Sequence, residues 1–208
     1  MKILDRIKLD RYFFLGLFVL VSVLANQYVN FVRWQDPLEI LWFCDMTAVF
    51  LGVGLMFKSK KIATLTLVMA IPAQFLWIVD FFLEIFGDGM GRTAQLWSYG
   101  DTVFWFSVNL HAILIPISSY AVWRLGFDNK TLGYVLLYAF LLLVVTYLTT
   151  EPIENRNCVF YGCDSVDPGD GYLRYFIFDF LIPWQLIFIA SFFVQKKVFF
   201  LLKKGNKT

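Results

Sequence analysis

Six long runs of apolar residues, separated by short polar segments, occupy most of this chain: 12–31, 38–57, 62–86, 102–123, 131–147 and 172–194. A helix needs about 20 mostly apolar residues to cross the hydrocarbon core of a bilayer. Each run therefore predicts a spanning helix, the fifth being the shortest and extendable toward Thr149. The expected fold is all-α: one polytopic bundle of six helices over residues 1–208, with no soluble domain and no internal repeat. Pro72, Pro116 and Pro183 fall inside the third, fourth and sixth runs. Each should free a backbone carbonyl and bend its helix axis. The longest segment between runs, 148–171, is acidic (Glu151, Glu154, Asp164, Asp167, Asp170) and carries Cys158 and Cys163. Pro152, Tyr161 and the two cysteines predict an ordered cap there. The first run follows a basic stretch, but Asn26-Gln27-Tyr28 is a poor cleavage motif, so a retained helix is expected rather than a signal peptide.

Composition strengthens the membrane reading. Hydrophobic residues make up 59% and charged residues 16% of the 208 positions, against about 45–50% and about 25% in soluble domains. Aromatics reach 20%, with 7 Trp and 10 Tyr available for interfacial belts. The 18 basic residues distribute unevenly over the connections. Fourteen lie at the N-terminus (Lys2, Arg6, Lys8, Arg11), after run two (Lys58, Lys60, Lys61), after run four (Arg124, Lys130) and at the C-terminus (Lys196, Lys197, Lys203, Lys204, Lys207). Arg33, Arg92, Arg156 and Arg174 fall on the other side. By the positive-inside rule, both termini are expected in the cytoplasm, as in a bacterial plasma-membrane protein. A seventh span would put the basic C-terminus outside. The net charge is only +2 and the basic residues flank apolar runs, so the expected partners are membrane lipids and not nucleic acid.

Ionisable groups within spans are costly and mark function by default. Cys44 and Asp45 fall about two turns into the second run, and Asp80 and Glu84 near the outer end of the third. His111 is expected about 15 Å and Asp179 about 10 Å from the outer ends of their helices. All belong to the outer half. Ser107, His111 and Ser118 share one stripe of the fourth helix, Cys44 and Thr47 share a face, and Asp80 shares one with Trp77 and Glu84. These stripes predict one cavity open toward the outer leaflet. A disulfide is the expected fate of Cys158 and Cys163 in an oxidising compartment. No histidine nearby completes a metal site, and neither metal nor cofactor is expected. One histidine excludes bis-histidine haem ligation, and the chain has no Cys-x-x-Cys, Walker loop, zincin motif or Gly-x-Ser-x-Gly elbow.

Three segments in order carry a family resemblance: Leu41-Trp42-Phe43-Cys44-Asp45-Met46-Thr47-Ala48, then Phe106-Ser107-Val108-Asn109-Leu110-His111 with Pro116 and Trp123-Arg124-Leu125-Gly126-Phe127-Asp128, then Asn155-Arg156-Asn157-Cys158-Val159-Phe160-Tyr161-Gly162-Cys163. Together, over roughly residues 38–180, the chain resembles the YwaF-like family of multi-pass membrane proteins and a related bacterial group. That family includes an animal transmembrane acyltransferase that remodels phospholipid acyl chains. Where the family pattern has a histidine beside the cysteine of this span, Trp42 and Asp45 flank Cys44 here.

The resemblance implies an acyl transfer in which Cys44 attacks an ester carbonyl and holds the acyl chain as a thioester. His111 would serve as general base, oriented by Asp80 or Asp45, and Asn157 or Asn109 would donate to the oxyanion. Ser107, Trp77 and Asp179 are further expected substrate contacts. Two other functions fit the same polar census. Asp80, His111 and Asp179 suit a proton relay or cargo site in a small-molecule or lipid transporter, although no inverted repeat is evident. A non-catalytic membrane scaffold would tolerate substitution at all the polar positions.

Overall fold

The computed structural model describes residues 9–87, 93, 101–162 and 165–205. Cys163 and Asp164 lie outside them, as do Lys2, Arg6, Lys8, Arg92 and Lys207 of the charge pattern. Among the described residues, apart from two short 3-10 turns, the helices in chain order are α1 Arg11–Trp34, α2 Phe43–Met56, α3 Lys60–Ile85, α4 Asp101–Leu125, α5 Leu132–Thr149, and three consecutive segments labelled α6 (Tyr172–Arg174, Tyr175–Leu181 and Ile182–Gly205). No strand occurs among the described residues. Five of these helices are long and apolar enough to cross a membrane, and α2 is a shorter apolar helix of 14 residues. Phe14, Leu24, Phe75, Trp105, Leu148, Phe193 and Phe200 project outward, exposed. Large apolar side chains face outward where the solvent is lipid, which identifies a multi-pass membrane protein.

The second helix begins later than its apolar run. Asp36 Oδ1 accepts the Leu38 N–H at 2.8 Å and Pro37 opens a 3-10 turn, Pro37–Leu41. The chain then extends at Trp42 (φ −56°, ψ 134°) before α2 starts. Cys44 and Asp45 therefore occupy the first turn of α2, and not two turns into a helix as the run suggested.

α1 and α2 run antiparallel in close contact. A Cβ at Gly16 would meet the Gly52 carbonyl oxygen at 2.5 Å, and one at Gly52 would meet Leu20 Cγ at 2.6 Å. Nearer the other end, Asn26 Nδ2 donates to Asp45 Oδ1 at 2.9 Å. An ion pair joins Lys58, just past α2, to Asp10, the N-cap of α1. The chain thus travels down α1, about 36 Å by helix rise, and returns along it through the 3-10 turn and α2, the latter about 21 Å long.

Two core clusters fill the bundle. Val19, Val23, Leu51, Leu55, Leu67, Leu110 and Leu114 join α1 to α4, and Val68, Met69, Val135, Ala139, Phe188 and Phe192 join α3, α5 and α6. The first part of α6 is π-helical over Tyr175–Leu181, with the Ile182 N–H reaching the Ile177 carbonyl. Pro183 follows directly and has no N–H for the carbonyl one turn back, so the widened turn takes up the mismatch. α6 also runs past 194 to Gly205: Gln195 is buried there and its Nε2 donates to Ser191 Oγ at 2.7 Å and to the Leu67 carbonyl at 3.4 Å, while Lys196 and Lys197 are exposed.

The segment after α5 is an ordered cap. Asn155, Asn157 and Cys158 take positive φ (38°, 52° and 59°), a region where asparagine is several-fold enriched. Asn155 Oδ1 accepts the N–H groups of Phe160 and Tyr161, and its Nδ2 donates to the Tyr161 carbonyl. Val159 and Phe160 bury against Leu143, Phe176 and Phe180. Arg156, only 3% exposed, pairs with Asp36, with Glu39 at 3.2 Å and with Glu154 at 3.6 Å. Partial burial works against ionising Asp36, but the Leu38 N–H and the Arg156 guanidinium outweigh it and hold its carboxyl below the usual range. Cys158 is disulfide-bonded; Cys163, its expected partner, lies outside the described residues.

Candidate functional site

The start of α2 sits under this cap. Asn157 Oδ1 accepts the Phe43 N–H at 2.7 Å, while its Nδ2 donates to the Leu41 carbonyl at 2.7 Å and to Thr146 Oγ1 at 3.3 Å. A residue 114 positions away in sequence thus supplies the cap that Trp42 does not. It fixes the turn from which Cys44 projects.

Cys44 is a free thiol on the wall of a cavity of about 140 Å³. His111 of α4 lines the same cavity, with Gln74 and Trp77 of α3, Trp184 of α6, and Asn157. The His111 ring stacks on Trp77 with centroids 4.0 Å apart and planes 16° from parallel. Its Nδ1 lies 2.8 Å from the Ser107 carbonyl oxygen. A carbonyl only accepts, so Nδ1 carries a proton, and in the neutral ring the lone pair is then on Nε2. The contact and the stacking hold the imidazole in a fixed plane. An indole face against it also suits the imidazolium that forms when it takes a proton.

The thiol has its own acceptor, since Cys44 Sγ lies 3.5 Å from Asp45 Oδ2. The other Asp45 oxygen takes the Asn26 amide. Asp45 is 2% exposed and ties the thiol to both α1 and α2. The cavity wall toward α6 is aromatic: Phe43 stacks on Phe188 at 5.5 Å, and Trp184 packs on Phe180 and Phe188.

Several expected placements differ. The imidazole is oriented by the Ser107 carbonyl, not by Asp80 or Asp45. Asp80 is fully buried, but its Oδ2 accepts the Thr93 N–H at 2.7 Å, which directs it to the connection after α3. The Asn157 amide is spent on capping α2, so it has no donor left for an oxyanion. Asn109 and Asp179 are exposed and line no part of this cavity. Ser107 contributes its backbone, and Ser118 bonds back to Leu114 and Ile115 in its own helix. Cys44, His111, Trp77 and Asn157 do converge.

Gln74, Asn26 and Trp184 join the site without having been singled out from the sequence. Gln74 carried a usable signal: an amide within the apolar run, three residues before Trp77 and so on the same helix face. A second, larger groove of about 750 Å³ lies against α3, α4 and α6, lined by Ile71, Pro72, Tyr120, Ile187 and Val194 among others. Its α3 lining runs from Leu67 to Pro72, and that of the cavity begins at Ala73. No family model, curated protein or solved structure matches the chain.

Proposed function

We propose that this protein is a membrane-embedded acyltransferase that moves an acyl chain between lipid esters, with Cys44 as nucleophile and His111 as base. The observation that carries this reading is the cavity shared by a free thiol and an imidazole drawn from different helices. The order of the cysteine, histidine and capping segments, similar to the YwaF-like family, supports it independently. The adjoining apolar groove offers room for an acyl chain beside the reacting carbonyl.

In this mechanism the Cys44 proton leaves through Asp45 or His111. Sγ then attacks the ester carbonyl, and the C–O bond breaks as the C–S bond is kept. The departing alkoxide takes a proton, giving a lysolipid and an acyl-thioester on Cys44. His111 Nε2 next removes a proton from an acceptor hydroxyl, which attacks the thioester and restores the thiol. Burial inside a membrane bundle excludes water and protects the thioester from hydrolysis.

The same reading takes the chain across the plasma membrane six times with both ends in the cytoplasm. α2, with the 3-10 turn before it, then forms the second crossing, a reading supported by the Lys58–Asp10 pair at the far end of α1. The cavity and the Arg156 cap then belong to the outer half of the bilayer.

Intact-mass spectrometry of protein purified from membranes tests the chemistry. An acyl mass labile to hydroxylamine is expected on Cys44, absent in Cys44→Ala and strongly reduced in His111→Ala, with lipid acyl exchange lost in both. Exchange at wild-type rates in both variants would falsify the assignment.

A further inference from the structure

We infer that the acyl acceptor of this cavity carries two neighbouring hydroxyls, as a glycerol end does, and that the Gln74 carboxamide oxygen receives the second of them while the first attacks the thioester. This rests on the Cys44–His111 reading and deepens it by naming the class of the second substrate.

Gln74 lies on α3 three residues before Trp77, so the two share a helix face, about 4.5 Å apart along the axis. It is 3% exposed, lines the cavity, and its Oε1 is buried without a hydrogen-bond partner. That atom only accepts, so the partner it lacks is a donor. Several donors of the same wall are engaged elsewhere. Asn157 Nδ2 donates to the Leu41 carbonyl and to Thr146, Trp42 Nε1 to Glu39 at 2.9 Å, the Cys44 thiol to Asp45, and His111 Nδ1 to the Ser107 carbonyl. A buried acceptor left unpaired is costly inside a membrane bundle. A guest that brings its own donor removes that cost.

The reaction decides what the donor is. The hydroxyl that attacks the thioester has one proton, and His111 Nε2 removes it. The same proton cannot also serve Gln74, so the carboxamide oxygen takes a second donor of the same molecule. An ammonium is disfavoured there. No carboxylate is among the described residues that line the cavity, and His111 gains positive charge in the same step. The Trp77 ring is already stacked with His111 at 4.0 Å and with Phe81 at 5.3 Å, which leaves it little free face for a cation. A neutral hydroxyl on the next carbon is the smallest donor that remains, and it suits a cavity of only about 140 Å³. In the transfer, the first oxygen bonds to the thioester carbon, its proton passes to Nε2, and the C–S bond breaks. The departing thiolate takes that proton back from Nε2. The second hydroxyl keeps its own proton and its bond to Gln74 throughout, which orients the diol for attack.

The test uses the full chain, purified in a detergent that has no hydroxyl group. Cys44 is first acylated with the p-nitrophenyl ester of decanoic acid, and the acyl group is read by intact mass. Its transfer is then followed to two ether-linked acceptors, 1-O-decylglycerol and 3-decyloxy-1-propanol, which differ only in the second hydroxyl. The wild type is expected to transfer to the diol faster by roughly 10- to 100-fold. Gln74→Met, similar in size and without the amide oxygen, is expected to lose this preference by slowing transfer to the diol alone, with acylation of Cys44 unchanged. Gln74→Glu carries an oxygen acceptor in either protonation state and is expected to keep the preference. Equal wild-type rates for the two acceptors overturn the proposal without any variant. A preference that survives in Gln74→Met, or a loss in Gln74→Met shared by both acceptors, overturns it as well. Each of these outcomes leaves Cys44 as nucleophile. Wild-type protein that never acquires the acyl group overturns both readings. Free glycerol is the third acceptor. Transfer to it at the decylglycerol rate identifies a soluble diol and a far slower rate a lipid-borne one, with the role of Gln74 kept in either case.

Discussion

Asn157 has the most concentrated effect of any single side chain on the candidate site, because its three hydrogen bonds hold the cap, the 3-10 turn and the first turn of α2 together. Removing a helix N-cap costs about 1 kcal/mol and up to about 2. The backbone at Asn157 is left-handed (φ 52°), so alanine adds strain of roughly 1–2 kcal/mol. Asn157→Ala is expected to lower the thermal midpoint in detergent and to speed iodoacetamide alkylation of Cys44, since a frayed first turn opens the thiol. Asn157→Gly removes the same bonds without the strain, and it should recover part of the midpoint. Equal midpoints for the two variants would show that the backbone conformation contributes nothing. This residue also marks where reading the sequence reaches its limit. The cysteine, the histidine and Trp77 were legible because thiol, imidazole and indole at matching depths in apolar runs are chemically conspicuous. The atom that each one meets was not, because residue type alone does not say which of several nearby groups it bonds. Ser107 acts through a carbonyl that every residue possesses, and Asp80 turns to Thr93 instead of His111.

At the scale of elements, apolar runs gave the helices well and their ends poorly. The five long runs appear as five long helices because hydropathy over about 20 residues dominates local detail. The second run fails at its start. Asp36, Pro37 and the bond from Asn157 replace its first helical turn by a 3-10 turn and a break. α1 and α2 then owe their contact to two glycines that hydropathy does not register. Lipid tails give helices no hydrophobic reason to associate, so close approach of small residues supplies packing instead. Gly16→Ala is expected to destabilise the protein by about 1–3 kcal/mol, because its Cβ meets the Gly52 carbonyl oxygen, and Met56 on the same helix leaves no room to shift. It should also weaken the Asn26–Asp45 bond that steadies the thiol. Gly133 in α5 is the internal control. A Cβ there meets nothing within 4 Å, so Gly133→Ala should leave the midpoint unchanged or raise it slightly. Detergent melts of the two variants decide the matter, and matching midpoints would remove the glycine contact as a cause of α1–α2 pairing.

Over the whole molecule, charge and packing constrain the topology separately. Basic residues gather on alternate connections, the pattern expected of the proposed even number of crossings. The ion pair between Lys58 and Asp10 returns the chain after α2 to the level where α1 began, which is why the proposed arrangement counts the short second helix as a crossing. At the other end of α1, Arg156 gathers Asp36, Glu39 and Glu154 from two connections. Under the proposed six-crossing arrangement these two sets of ion pairs fall on opposite membrane faces. Ile153 is 83% exposed in the cap, and Lys130 lies in the connection between α4 and α5. In a Cys44→Ala background, Ile153→Cys is expected to react with a membrane-impermeant maleimide on intact cells. Lys130→Cys should react only after the membrane is opened. Labelling of both from outside would break the six-crossing arrangement. The reverse pattern would keep six crossings but move the cavity to the cytoplasmic half, where the acyl donor would have to come from the inner leaflet.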